Sequence, residues 1–391
     1  MSDIVIVGAK RTAIGSFLGQ FNGVATPVLG SAAITGALEH AGVAADQVDE
    51  VIMGCVLPAG LGQAPARQAS LGANIPTSAG CTTINKVCGS GMKAIMLAHD
   101  IIKAGSANVV VAGGMESMTN APHLLNGSRN GIRYGSAEFI DHMAYDGLTD
   151  PYQGKAMGVF GDTMCAEYKF DREALDAYST ESVKLAQAAQ TSGAFKDEIV
   201  PVTVKGRKGD VVVDSDEEPG KIDTTKIPTL RAAFGKDGVL TAASSSKISD
   251  GAAATVLMTA EEAAKRGLKP LARIVAHATH SQAPEWFTTA PVTAIDNVLK
   301  KAGWSVADVD LFEINEAFSC VAMAPMKDLG ISRDKVNVHG GAVALGHPIG
   351  ASGARLVVTL LNALRQRGGK RGVASLCIGG GEATAIAVEL A

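Results

Sequence analysis

The segment Asn85-Lys-Val-Cys-Gly-Ser-Gly-Met-Lys-Ala94 opens the most regular part of this chain. Apolar residues recur at helical spacing from Met92 onward, which predicts a helix over 92–103. The apolar run 109–112 follows and predicts a buried strand closed by the glycine pair 113–114. A helix that leads into a buried strand is typical of an α/β fold.

Cys88 stands just before this helix, beside two glycines that predict a loosened turn. Free backbone N–H groups and the positive end of the helix dipole favour a thiolate at such a place. Cys88 is therefore a candidate nucleophile. The alternative is a small buried residue at a tight turn, as most cysteines are.

The pattern around Cys88 recurs in the second half of the chain. In the first half, residues 88–91 are followed by a predicted helix and by an apolar run that ends in Gly-Gly at 114. In the second half, residues 350–353 are followed in the same way by a predicted helix and by an apolar run that ends in Gly-Gly at 380. The distance from Gly42 to Gly91 also matches that from Gly303 to Gly353 to within one residue. This agreement in order and spacing predicts two duplicated α/β halves, with parallel or mixed sheets covered by helices.

Between the halves, the chain is richer in charges, Gly, Pro and Tyr, and its apolar runs are shorter. Helical and strand periods persist there, including a helix over 171–190 capped by Asp171. We therefore predict an inserted loop domain over 118–247. An N-terminal half formed by 1–117 and 248–270, and a C-terminal half over 271–391, complete the division.

Composition limits the function classes. The chain has 391 residues, 47% of them hydrophobic and only 4% aromatic, with 45 glycines, which suits closely packed α/β layers. The net charge is −4 and the charges are mixed, so we expect no nucleic-acid partner and no membrane association. The 6 cysteines form no CxxC pair, so neither a zinc site nor a disulfide framework is indicated, and a reducing cytoplasm is the simplest location.

Three further motifs lie on loops at or near predicted strand ends, where ligands bind in open α/β sheets. They are Asn315-Glu-Ala-Phe318, the glycine-rich run that contains Gly346-His-Pro-Ile-Gly350, and Cys377-Ile-Gly-Gly-Gly381. Each has a plain alternative: the Asn315 side chain as a helix cap, His347 as a turn residue and Cys377 as a core residue. No Gly-x-Gly-x-x-Gly follows the first strand and no Walker pattern occurs, which argues against dinucleotide or phosphate binding.

Together these motifs closely resemble the thiolase family. Three other segments, 11–17, 111–117 and 250–254, resemble it too, so the resemblance runs in order over the whole chain. It implies a thiolase-like fold with a layered α-β-α-β-α arrangement. The type it resembles most, through 82–88 and 146–150, is the short-chain, acetoacetyl-CoA type, which joins two acetyl-CoA reversibly into acetoacetyl-CoA and CoA.

The resemblance implies a role for each motif. Cys88 would be the nucleophile that is acetylated, and His347 would take its proton and later serve an oxyanion hole. Cys377 would be the acid and base at the substrate α-carbon. Asn315 would hold a water of the same oxyanion hole, and the backbone N–H groups of Cys88 and Gly379 would form a second hole. No metal or cofactor is implied, because the coenzyme A thioesters are the substrates.

The resemblance also implies substrate contacts. Ser246 matches a serine that contacts pantetheine, Lys221 falls near the nucleotide end, and Phe287 stands where the acyl pocket is expected. The tunnel for the substrate would be lined by Leu148, Met157, Phe234, Ala317 and Phe318. Lys221 could equally be a solvated surface charge. Departures from the family pattern include Ala156, the serine loop 243–249, and Pro219 near a potassium-binding tyrosine of some relatives.

Other activities remain open at this point. The nearest is a broader 3-ketoacyl-CoA thiolase of fatty-acid degradation. A ketoacyl synthase has a related fold, but its second and third catalytic groups are not cysteines, so Cys377 argues against it. From another class, the chain could be a non-catalytic acyl-CoA or lipid carrier. The resemblance further implies a homotetramer built as a dimer of dimers.

Overall fold

The computed structural model describes residues 2–206 and 209–391. Its strands and helices alternate along most of the chain, as an α/β fold requires. The strands are β1 (Ile4–Thr12), β2 (Gly15–Ser16), β3 (Glu50–Gly54), β4 (Gly80–Ile84), β5 (Val110–Ser117), β6 (His123–Leu124), β7 (Ile140–Asp141), β8 (Ile199–Val200), β9 (Val202–Val204), β10 (Val211–Val213), β11 (Ser249–Thr259), β12 (Ala272–Ser281), β13 (Leu311–Ile314), β14 (Arg371–Ile378) and β15 (Glu382–Leu390).

The helices connect and cover these strands. They are α1 (Thr26–Ala41), α2 (Pro65–Gly72), α3 (Ser90–Lys103), α4 (Met157–Tyr168), α5 (Arg172–Ser192), α6 (Ala260–Lys265), α7 (Ala290–Ala302), α8 (Ser319–Leu329), α9 (Ala342–Leu345) and α10 (Ile349–Arg367). Shorter helical turns span Ala45–Gln47, Ser128–Asn130, Met143–Gly147, Pro219–Lys221, Thr224–Thr229, Pro284–Thr289, Val306–Asp308 and Arg333–Lys335.

The two halves have the same strand order. In the first half the order is β4-β3-β5-β11-β1, and in the second it is β13-β14-β15-β12, so β3, β5, β11 and β1 correspond to β13, β14, β15 and β12. The pairings of the corresponding strands match as well: β3·β5 and β13·β14 are parallel, and the two pairs that follow in each half are antiparallel. The first half has one further strand, β4, which pairs with β3 in parallel. The predicted duplication is confirmed strand by strand, and the sheets are mixed.

Antiparallel pairing of β1 with β12 joins the halves into one hydrogen-bonded sheet. Helices α3 and α10 contact each other and strands of both halves, whereas α1 packs on β1, β5 and β11 of the first half and α7 packs on β12, β14 and β15 of the second. The arrangement is therefore α-β-α-β-α, with α3 and α10 in the middle layer. The first sixteen residues of α10, 349–364, are all buried, as a helix enclosed by other layers requires.

Glycines at the start of the middle helices let these helices approach closely. A Cβ added at Gly91 would lie 2.8 Å from the Ala354 N, and one added at Gly353 would lie 2.4 Å from the Met92 N. A Cβ at Gly89 would lie 2.3 Å from the Ile378 Cδ1. The expectation of a loosened turn was therefore wrong: Gly89 has an ordinary φ of −80°, and these glycines are needed for space.

Strand β5 does not stop at the glycine pair but continues to Ser117. Glycine serves there because neighbouring backbone lies too close for a side chain. A Cβ at Gly113 would lie 2.0 Å from the Ala253 O, and one at Gly114 would lie 2.0 Å from the Gly350 O. This extension carries Glu116 into the centre of the molecule.

The region predicted as an insertion, 118–247, contains α4, α5 and several short strand pairs. Helix α5 is capped as expected, since the Asp171 side chain accepts a hydrogen bond from the Ala174 N. A buried network fixes the region to β1: the Arg11 guanidinium donates to Glu198 and Asp216. The domain boundaries proposed from sequence stay a prediction. Within the part of the chain that is described, no helix has the length and apolar composition needed to cross a bilayer.

Candidate active site

Cys88 sits in a tight turn between β4 and α3. The Asn85 side chain accepts from the Val87 N at 2.9 Å, and the Ser90 Oγ donates to the Val87 O at 2.6 Å. Val87 itself has a φ of 45°, in the left-handed region that β-branched residues avoid. Strain of this kind is concentrated at functional sites, because the surrounding structure must enforce it. The turn thus holds Cys88 in one position.

The Cys88 thiol is neutral in this environment. Burial raises its pKa to about 11, and the nearby charge of Glu116 raises it further, while the N–H groups of Gly379 and of Cys88 itself lower it in part. The expectation that the helix N-terminus would favour a thiolate was therefore wrong, because desolvation outweighs the helix dipole. A base is needed before this thiol can act as a nucleophile.

His347 can supply that base. Its Nδ1 lies 2.6 Å from the Ser352 Oγ, which in turn donates to the Pro348 O at 2.9 Å. Because that hydroxyl proton is committed to Pro348, Nδ1–H donates to Ser352 and Nε2 carries the lone pair. Burial, and secondarily the charge of Arg355, lower the pKa of His347 to about 3, which keeps the imidazole neutral.

Asn315 faces the same imidazole. Its Nδ2 lies 3.4 Å from the His347 Nε2, and its backbone N donates to the Ser375 O at 2.9 Å. It does not cap the next helix, whose N-cap position is Phe318. Within the described residues, the buried Asn315 Oδ1 has no hydrogen-bond donor. This oxygen can therefore accept from a small polar molecule.

Cys377 stands near the end of β14 and is almost fully buried. Burial raises its pKa well above the ordinary value, and a charge on Cys88 would raise it further. The chain turns after it through Gly380 and Gly381, which have φ values of 91° and 89°. Gly381 is also needed for space, since an added Cβ would lie 2.3 Å from the Gln282 O.

A cavity of about 290 Å³ reaches His347. It is lined by His347 and by several residues predicted to contact the substrate, which are Leu148, Met157, Phe234, Ser246 and Phe318. Cys88 packs in the same apolar cluster as Leu148, while Cys377 packs in the cluster of Phe318 and Met157. Both clusters contribute residues to the lining of this cavity.

Three predicted contacts lie outside this lining. Ala317 supports the wall through its backbone, since its O accepts from the Ser246 N at 3.0 Å. Phe287 is buried in the cluster of Cys377, beside the residues that line the cavity, and its contact with the acyl group stays a prediction. Lys221 lies in an adjoining surface pocket that shares Phe234 and Ser246, and it donates to Glu217 and Ser16.

Comparison with known proteins agrees with this architecture. The family model "Thiolase, N-terminal domain" matches residues 4–261, and "Thiolase, C-terminal domain" matches residues 268–390. The chain belongs to the thiolase family. The family predicted from the sequence motifs is thus confirmed.

Similar proteins cover the full length of the chain. An acetyl-CoA acetyltransferase of Chromobacterium violaceum is 50% identical over 389 residues, which are 99% of this chain and 99% of that protein. One of Cupriavidus necator is 49% identical over 391 residues, or 100% of both chains. Acetyl-CoA acetyltransferase 1 of Arabidopsis thaliana is 50% identical over 390 residues, covering 99% of this chain and 94% of that protein.

The thiolase site contains a buried carboxylate that the motifs did not single out. Glu116 accepts hydrogen bonds from the backbone N of Val56, Leu57 and Gly350, at 2.9, 3.1 and 2.9 Å. It thereby ties the loop after β3 to the start of α10, next to His347. Burial raises the pKa of Glu116 to about 7 despite these three donors. The sequence signal that could have identified Glu116 is an acidic residue at the end of a predicted buried strand.

Ser352 and Lys247 were also missed as site residues. Ser352 fixes the imidazole tautomer, and its place in the repeat opposite Ser90 gave no hint of that role. Lys247 lines the thiolase cavity from within the serine loop, and burial lowers its pKa to about 8. Its Nζ donates to the carbonyls of Ala242 and Ser245, which holds the loop in shape.

His347 predicts a specific acid sensitivity of this thiolase. Its pKa is lowered in the folded chain, so the unfolded chain binds the proton first as the pH falls below about 6.5. The folded state therefore loses stability from that pH downward. We expect the melting temperature of His347→Asn to fall less than that of the wild type when the pH is lowered from 7.5 to 5. Thermal unfolding at both pH values measures this, with His280→Asn as control; equal losses in wild type and His347→Asn would contradict it.

Proposed function

We propose that this chain is an acetyl-CoA acetyltransferase that condenses two acetyl-CoA reversibly, through an acetylated Cys88. The observation that carries the proposal is a neutral His347 imidazole at the cavity, with the thiols Cys88 and Cys377 packed in the two apolar clusters that contribute to the cavity lining. Proteins named acetyl-CoA acetyltransferase that match the chain end to end support the same reaction.

In the first half-reaction, the Cys88 sulfur attacks the thioester carbonyl of acetyl-CoA. The thiol proton passes to the His347 Nε2, which is free because Nδ1–H is held by Ser352. The N–H groups of Cys88 and Gly379, both directed toward the Cys88 sulfur, stabilise the oxyanion of the tetrahedral intermediate. The departing CoA sulfur takes its proton from Cys377. Cys88 is then acetylated, His347 is protonated and Cys377 is a thiolate.

In the second half-reaction, the Cys377 thiolate removes the α-proton of another acetyl-CoA. The high pKa of Cys377 makes this thiolate a strong base, as a weakly acidic carbon requires. The protonated His347 and a water held by the Asn315 Oδ1 stabilise the enolate oxygen. The enolate carbon attacks acetyl-Cys88, and the released Cys88 sulfur regains its proton from His347. Every group returns to its starting state.

These steps use no metal ion and no redox cofactor, since the thioester itself activates the acetyl group. Coenzyme A would enter along the cavity wall formed by Phe234 and Ser246, with its nucleotide end toward Lys221. Lys221 is held by Glu217 and Ser16 on the surface, in reach of that end. A cytoplasmic location fits six cysteines without a CxxC pair.

Chain length separates this proposal from a broad-range 3-ketoacyl-CoA thiolase. We expect kcat/KM for thiolysis of acetoacetyl-CoA to exceed that for a long-chain 3-ketoacyl-CoA by at least about tenfold, since each unaccommodated methylene is costly. Phe287 fills the apolar cluster around Cys377 and leaves little room for a longer chain there. Steady-state kinetics over a series of chain lengths measures the ratio. A preference for long chains would overturn the acetyl assignment.

We also propose a homotetramer, a dimer of dimers. Three large apolar side chains are exposed within residues 125–139. Tyr134 is fully exposed, Phe139 is 67% exposed and Ile132 is 55% exposed. Exposed apolar groups clustered on one protruding segment mark a contact with another protein copy. Sedimentation equilibrium should give four times the chain mass for the wild type. A variant with Ile132, Tyr134 and Phe139 all changed to Ser should give a smaller assembly; an unchanged mass would contradict this contact.

A further inference from the structure

A second group of reactive side chains lies away from the cavity, where α3 meets β12. His99 and Asp100 stand in the third turn of α3, and His277 stands on β12. The His99 Nδ1 lies 2.9 Å from the Asp100 Oδ1 and 3.2 Å from the His277 Nε2. The third side of this triangle, from His277 Nε2 to Asp100 Oδ1, measures 3.0 Å.

Protons alone cannot satisfy this triangle while the carboxylate is ionised. If both ring nitrogens carry protons, the short His99–His277 side joins two donors. If either nitrogen lacks its proton, that nitrogen and the Asp100 oxygen form a side that joins two acceptors. Every proton arrangement therefore leaves one unfavourable contact of about 3 Å.

A cation at the centre satisfies all three sides at once. Ligand bonds of about 2.0–2.2 Å in tetrahedral geometry place neighbouring donor atoms roughly 3.3 Å apart. The observed sides of 2.9, 3.0 and 3.2 Å need to widen by only a few tenths of an ångström. No other trio of histidine, cysteine or acidic ligand atoms in the described residues meets this closely.

We propose that His99, Asp100 and His277 bind a divalent transition-metal ion, with Zn²⁺ as the favoured ion. Two imidazole nitrogens and one carboxylate oxygen suit zinc and its neighbours, whereas Mg²⁺ and Ca²⁺ prefer oxygen ligands only. Three protein ligands leave a fourth position for water. Asp100 is half exposed, so an ion can enter from solvent.

The site would cross-link the two halves of the chain. Helix α3 begins just after Cys88 in the first half, and β12 begins the second half and pairs with β15. The ion therefore joins two elements that are far apart in the sequence. Its role is structural, because the reaction proposed above needs no metal.

Cobalt and zinc binding to the full-length protein tests the site. We expect one Zn²⁺ per chain with a Kd below about 1 μM by calorimetry, and binding weaker by at least about 100-fold in His277→Gln and in Asp100→Asn. His280→Gln, changed on the same strand outside the triangle, should bind like the wild type. Zn²⁺ should also raise the melting temperature of the wild type and of His280→Gln, but not that of His277→Gln.

Co²⁺ spectra separate this site from the two thiols of the cavity. Histidine and carboxylate ligands give visible d–d bands without the sulfur-to-cobalt charge transfer that Cys88 or Cys377 would add. Tight binding that persists in His277→Gln, or a cobalt spectrum dominated by thiolate charge transfer, would overturn the proposal. Equally weak binding by the wild type and every variant would show an adventitious ion only, and would also overturn it.

Discussion

Cys88→Ser is expected to abolish the acetyl adduct and to lower kcat/KM by at least about 10⁴-fold, as removal of a catalytic nucleophile does in other enzymes. A serine hydroxyl in the same turn is far less acidic than the thiol, and the lowered pKa of His347 makes it a weak base for that proton. Mass spectrometry of the protein after incubation with acetyl-CoA measures the adduct. Steady-state thiolysis of acetoacetyl-CoA measures the rate.

Cys81→Ser is the matched control for this experiment. Cys81 is also half-buried and lies on β4, the strand that leads into the Cys88 turn. It should keep both the adduct and the rate, because its sulfur makes hydrogen bonds with Arg67 and the Ala79 carbonyl and packs on a core cluster that does not contain Cys88. A wild-type chain that gains no acetyl group under the same conditions would favour the non-catalytic carrier instead.

Cys377→Ala should separate the acetylation of Cys88 from the condensation step. Cys377 serves acetylation only by protonating the departing CoA thiolate, which solvent can also protonate, so the adduct should still form through His347 and the Gly379 and Cys88 N–H groups. Condensation and thiolysis should fall by about 10²–10⁴-fold, the usual contribution of a general acid or base. Mass spectrometry of the adduct and product assays on the same sample give the two readouts. Normal condensation by this variant would disprove the role given to Cys377.

Cys320→Ala controls for packing in that experiment. Cys320 is buried in the same apolar cluster, so its loss creates a similar cavity. The cluster's stability should then fall in both variants, while only Cys377→Ala should lose turnover. Equal loss of turnover in both would assign the effect to packing rather than to proton transfer.

The sequence predicted the fold wherever the repeat was visible. The helix expected over 92–103 spans Ser90–Lys103, and the matching glycines do lie where α3 and α10 cross. The pattern missed the extension of β5 through Gly113-Gly114, because a glycine pair ends a strand in most settings. Here it continues one, since the partner backbone at Ala253 and Gly350 lies too close for side chains.

Sequence motifs predicted the site residues that lie within them. They did not predict residues whose role depends on contacts between distant segments. Asn315 and His347 do meet, as the resemblance implied. Glu116 escaped notice because its donors come from Val56, Leu57 and Gly350, far apart in sequence. The acid strength of Cys88 was also misjudged, because desolvation depends on all surrounding layers and not on the local helix start. The catalytic roles themselves remain predictions for the experiments above.

The place of β11 between β1 and β5 bears on how the chain is made. During synthesis, β1 and β5 emerge early, but the strand that joins them ends only at Thr259, and α10 follows after residue 348. Until then the unpaired edges and apolar faces of the first half stay open to solvent, where such strands aggregate. A nascent chain of this kind gains from chaperones on the ribosome, and truncation before β11 should yield insoluble protein.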